Sequence, residues 1–67
     1  MNMQLTLYGA RPQRLNALAL LENCPRIRRV DALSDGRTLR LTMNDPMPEG
    51  ELLSLLRASG VSGFRIG

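Results

Sequence analysis

Apolar residues along this chain recur first at every second position and then at helical spacing, and the alternation between the two repeats down the sequence. Met3, Leu5 and Leu7 alternate with Gln4, Thr6 and Tyr8, which predicts a strand over 3–8 with one buried face. The stretch Gly9-Ala10-Arg11-Pro12-Gln13-Arg14 then reads as a loop, with Pro12 placed as an early helical residue, where its missing N–H does no harm. A Leu-rich helix follows over 15–24. Its apolar stripe is Ala17, Leu18, Leu21 and Cys24, opposite Asn16 and Asn23, and Pro25 is expected to end it.

A second strand is expected from about Arg26 to Leu33, with Ile27, Val30 and Ala32 apolar. The step from Ile27 to Val30 breaks strict alternation, so Ile27 should pack at the strand entrance before regular pleating begins. Ser34-Asp35-Gly36-Arg37 reads as a turn with Asp-Gly as its hairpin signal, and 38–43 alternates cleanly. These two strands should pair as an antiparallel hairpin. Beyond the loop at 44–48, a second helix opens near Glu49 with acidic Glu49 and Glu51 at its positive end, a stripe of Leu52, Leu53 and Leu56, and Gly60 as a left-handed cap. Val61, Phe64 and Ile66 supply a short last strand, weakened at Gly63.

The order strand, helix, strand, strand, helix, strand predicts an α+β, ferredoxin-like βαββαβ fold: a four-stranded antiparallel sheet with two helices on one face, spanning 1–67 as a single domain. The other face should be open, showing Gln4, Thr6, Arg40 and Thr42, with Arg29 and Arg65 beside them. A chain of 67 residues buries only about 60% of the surface its unfolded form exposes, leaving little room for a deep cleft.

Composition narrows the chemistry. There is no His and one Cys, which removes an internal disulfide, a Cys-only metal cage and the usual four-ligand zinc spacing. General acid–base work calls for a His or paired carboxylates. Here Asp31, Asp35, Asp45, Glu22, Glu49 and Glu51 fall mostly in turns and at helix ends. The expectation is no enzyme and no cofactor. All nine basic residues are Arg, and the net charge is +3. Arg is the better fork for carboxylates and phosphates, although these residues are scattered among Asp and Glu. The first residues enter a strand without a basic segment followed by an apolar run, and no apolar run approaches the roughly 18 residues of a membrane span. A cytoplasmic location without membrane insertion is the expectation.

The chain resembles the heavy-metal-associated domains of copper chaperones, mercury-binding proteins and metal-pumping ATPases. Leu5-Thr6-Leu7-Tyr8-Gly9 is similar to their opening strand, 25–32 to their second strand, and Leu55 to Val61 to their closing helix. The resemblance implies a metal site at the first loop, built on two thiolates. Counting from Gly9, those cysteines would fall at Pro12 and Leu15, and neither side chain binds a metal. The metal-carrying role therefore does not transfer.

What remains is a non-catalytic interaction or regulatory module, a monomer or weak dimer, with Arg11, Pro12 and Arg14 as its interaction loop and an acidic protein as its partner. Two other readings stay open. Cys24 and the methionines Met1, Met3, Met43 and Met47 are soft ligands that could hold a metal weakly. Met3 and Met43 are expected in the core and Met1 and Met47 at the surface. Alternatively, the open sheet face with Thr6, Tyr8, Arg40 and Thr42 could take nucleic acid, as RNA-recognition domains of similar fold do. Such domains stack bases on aromatic residues, of which this chain has only Tyr8 and Phe64.

Overall fold

A computed structural model describes all 67 residues, and its elements follow the expected order: β1 (Asn2–Tyr8), α1 (Arg11–Glu22), β2 (Ile27–Ala32), β3 (Thr38–Met43), α2 (Glu49–Ser59) and β4 (Gly63–Ile66). The strands form one antiparallel sheet in the order β2-β3-β1-β4. Because β1 and β2 both run antiparallel to the β3 strand between them, they are parallel to each other. A tight turn cannot join them, and α1 makes the crossing. The same logic places α2 between β3 and β4, with β1 as the intervening strand. This is the ferredoxin-like α+β fold.

Register decides which side chains meet the helices. Leu5 lies opposite Leu39 and Ile66, Met3 opposite Leu41, and Leu7 opposite Phe64. This face packs on Ala17 and Leu21 of α1 and on Leu52 and Leu56 of α2 to form one core. Leu5, Leu21 and Leu41 are completely buried. At about 1.5–3 kcal/mol per buried aliphatic side chain, these few leucines dominate what holds so small a protein together. No helix is long and apolar enough to cross a membrane.

Several local expectations need correction. Helix α1 starts at Arg11 rather than 15, because Pro12 fits the first turn, where an N–H is not required. It ends at Glu22: Asn23 caps it, its backbone N–H and its Nδ2 both donating to Ala19 O, at 3.2 and 2.9 Å. Cys24 therefore sits in the turn after the helix, half-buried against the core, instead of on the helical stripe. Leu53 is only half-buried, Val61 precedes β4, and Ile66 is 48% exposed because β4 is an edge strand. Met47 packs partly against the core instead of facing water. Met43 is core and Met3 partly buried beside it, whereas Met1 is exposed.

Two irregularities fall where the sequence breaks its own pattern. Pairing shifts between Ile27 and Arg29, so that Ile27 is buried at the entrance of β2 while Arg29 points to the open face. The β2–β3 turn is not the mirror-type turn that Asp-Gly suggests, since only Gly36 has positive φ, at 74°. Asp35 acts through its side chain instead: Oδ1 accepts from the backbone N–H of Arg37 and of Thr38 at 2.9 and 2.8 Å, and Oδ2 accepts from the Thr38 hydroxyl. Those donors hold its carboxyl down at about 2 against an ordinary 3.8, the Thr38 hydroxyl contributing most.

Candidate functional site

The connection from β1 to α1 is shorter than the sequence suggests. Only Gly9 and Ala10 lie between the elements, so Arg11, Pro12 and Arg14 belong to the first helical turn. Gly9 makes this possible: its φ is 126°, and a Cβ there would stand 3.0 Å from the backbone nitrogen of Ser62. Ser62 N–H donates to Tyr8 O at 3.0 Å, which ties the β1 end to the loop before β4.

The N-terminus of α1 is electrostatically mismatched. Its N-cap, Ala10, has no side-chain oxygen to accept from the first N–H groups, and the first turn holds no acidic residue. Instead it carries Arg11 and Arg14 at the positive end of the dipole, where cations are unfavourable. Helix α2 shows the ordinary arrangement, with Glu49 and Glu51 in its first turn and Arg57 in its last. Arg14 Nη1 donates to Gly9 O, while its Nε is buried without an acceptor. The Oε1 of neighbouring Gln13 is likewise buried and unpaired.

Arg11 and Arg14 border a cleft of about 300 Å³ whose floor is apolar. Leu7 of β1 and Leu39 of β3, both nearly buried, form part of the lining, and Leu15 and Leu18 come from α1. Across from the helix, the β2–β3 hairpin contributes Ala32, Gly36 and Arg37. No carboxylate lines this cleft. The ion pairs of the molecule lie elsewhere, Arg26 with Glu51 at 3.0 Å and Arg29 with Asp31 at 2.9 Å. Asp35 is next to Gly36, but its oxygens are committed to the turn. Leu15 is 51% exposed here, and Pro12 is exposed beside it.

Arg37 is the residue that sequence reasoning missed. It is distant from Arg11 in the chain and reads as an ordinary turn residue. The fold brings it to the cleft because β3 is the central neighbour of β1, and Leu7 N–H donates to Arg37 O at 2.8 Å.

The open sheet face is a different surface. Gln4, Arg40 and Asp31 lie in one register row, and Thr38, Thr6 and Arg65 in the next. The Thr6 and Thr38 hydroxyls are 3.3 Å apart and share a hydrogen bond; Thr38 is buried, and Thr6 and Thr42 are half-buried. Arg40 and Arg65 are exposed, and Arg29 is neutralised by Asp31. Tyr8 belongs to this face at the end of β1, opposite Gly63. A lone aromatic with no second one beside it offers one stacking platform. Cys24 lies past the opposite end of α1 from the cleft, and no group of three Cys, Asp or Glu side chains comes together anywhere in the chain.

Comparison with protein-family models, with curated proteins and with solved structures found no match to this chain.

Proposed function

We propose that this protein is a non-catalytic interaction or regulatory module that docks an acidic partner at the β1–α1 end of a ferredoxin-like fold. In this reading it is similar to a heavy-metal-associated domain whose metal position has passed to Pro12 and Leu15. The observation that carries it is the convergence of Arg11 and Arg14 with Arg37 over an apolar floor that no carboxylate enters. Unneutralised Arg groups at a helix start favour anions, through both the guanidinium fork and the helix dipole. Against catalysis stand the lack of any His and the commitment of Asp35 to its turn.

Amide-resolved NMR titrations of the full chain separate this reading from its rivals. Polyglutamate should give saturable, salt-sensitive shifts at 9–15 and 36–38, and the double variant Arg11→Gln/Arg14→Gln should weaken them. Saturable shifts across β1 and β3 with a single-stranded oligonucleotide would replace docking by nucleic-acid binding. Shifts near 9–15 or Cys24 at micromolar Cu(I) or Zn(II) would restore a metal role.

A further inference from the structure

The cleft is too small for a folded surface to enter and too apolar to serve an anion alone. Its volume of about 300 Å³ suits one large aliphatic or aromatic side chain. That is the low end of the roughly 300–1,000 Å³ found for ligand sites. Its cations stand on two elements, Arg11 and Arg14 on α1 and Arg37 on the hairpin, with the apolar lining between them.

Resting on the docking reading above, we infer that the occupant of this cleft is a short segment of a partner protein in which one large apolar side chain is flanked on both sides by carboxylates. The apolar residue covers Leu7 and Leu39, and the carboxylates meet Arg11 and Arg14 on one rim and Arg37 on the other. Charge complementarity selects this occupant over a fatty or aryl monocarboxylate, whose single anionic group serves one rim and leaves the other cation unmatched. The fold orients one of these cations: Arg14 Nη1 donates to Gly9 O, which holds the guanidinium at the start of α1 beside the cleft. Leu15, exposed at the lip, is the kind of apolar side chain that closes over an inserted anchor and excludes water from the ion pairs around it.

The test is an amide-resolved titration of the full chain with an acetylated, amidated pentapeptide of two glutamates, one leucine and two glutamates. Saturable shifts are expected at Leu7, Arg11, Leu15, Leu18, Arg37 and Leu39. Replacing the leucine of the peptide by alanine should weaken binding by about tenfold, the share of an aliphatic anchor. Arg37→Gln should weaken it by about fivefold, the upper range for one solvent-exposed ion pair. Both Arg37 and Leu15 are exposed, so Arg37→Gln and Leu15→Ser should keep the folded spectrum, and Leu15→Ser should also weaken the leucine peptide more than the alanine one. Equal affinity for the two peptides overturns the anchor inference while leaving acidic docking standing. Failure of both peptides together with polyglutamate removes the docking reading as well. Sodium octanoate binding the same residues as tightly as the peptide would overturn the proposal in favour of a small amphipathic carboxylate.

Discussion

Replacing Gly9 by Ala should destabilise the protein more than the same change at Gly36, and the structure sets the size of the difference. Both glycines have positive φ, 126° and 74° respectively, so both alanines meet backbone strain. At Gly36 nothing lies within 4 Å of the added Cβ, and only the left-handed conformation is penalised, at about 1–2 kcal/mol. At Gly9 the Cβ would also stand 3.0 Å from Ser62 N and 3.2 Å from its Oγ, and the first of these is backbone that cannot swing aside. Relief requires Ser62 to withdraw from Tyr8 O, and losing such a bond removes about 0.5–1.5 kcal/mol. The expected gap is therefore about 1–2 kcal/mol, on strain of order 1–3 kcal/mol at Gly9 itself. Because both variants exchange glycine for alanine, their effects on the unfolded chain cancel in the comparison. Urea melts followed by far-ultraviolet circular dichroism measure the gap directly, and in thermal melts it should appear as roughly 4–16 °C for a domain of this size. Equal midpoints, or a more damaged Gly36→Ala protein, would refute the claim that the β1–α1 connection is held by close approach to Ser62.

Two further outcomes follow from charge. Asp35 has its carboxyl lowered to about 2 by the Thr38 hydroxyl and the backbone N–H groups of Arg37 and Thr38. A group depressed in the folded state stabilises above its unfolded pKa and loses that contribution as pH falls through the folded one, so stability should decline from near pH 4 towards pH 2. Asp35→Asn should flatten that decline in acid titrations monitored by circular dichroism. An unchanged acid limb would mean that the carboxylate does not hold the turn. Arg11→Glu should raise stability by about 0.3–1 kcal/mol, since it places an acid at the N-terminus of α1. The same variant should weaken binding of the acidic pentapeptide, and a variant both more stable and equally competent would detach Arg11 from recognition.

The succession of elements along the chain and much of the core were legible because each depends on local periodicity: Leu39 and Leu41 alternate, Leu52 and Leu56 are one turn apart, and Gly60 takes the left-handed cap at φ 85°. Ile27 was legible from the missed alternation at its strand entrance, which the structure resolves as a register shift. Boundaries around Pro12 and Cys24 were less legible. A proline permits a helix start without fixing it, and Asn23 can cap a helix or continue one. Buried Ser59 carried no apolar signal, as its hydroxyl is satisfied by donating to Leu56 O. Half of the candidate site could be read from Arg11 and Arg14. The other half could not, because Arg37 joins them only through the β1–β3 pairing, a contact between residues far apart in sequence.

The two helices of this molecule are treated differently by the same sequence. Helix α2 has acids at its start, Arg57 in its last turn and a glycine cap, and each of these favours the helix in isolation. Helix α1 starts with an uncapped alanine and two arginines, and its opening turn rests on Gly9 in a conformation other residues resist. Both helices lack a side-chain N-cap, Ala10 at α1 and Pro48 at α2, so their starts differ in charge: acids follow Pro48 and arginines follow Ala10. Cations at the positive end of a helix dipole are a departure of the kind expected where a protein meets something else. Here the departure coincides with the apolar cleft and with the orphaned Nε of Arg14. A coincidence of charge, cavity and strain at one end of the sheet is difficult to derive from the needs of folding alone. An acidic, apolar-anchored partner would match the arginines at this end and cover the apolar lining between α1 and the hairpin.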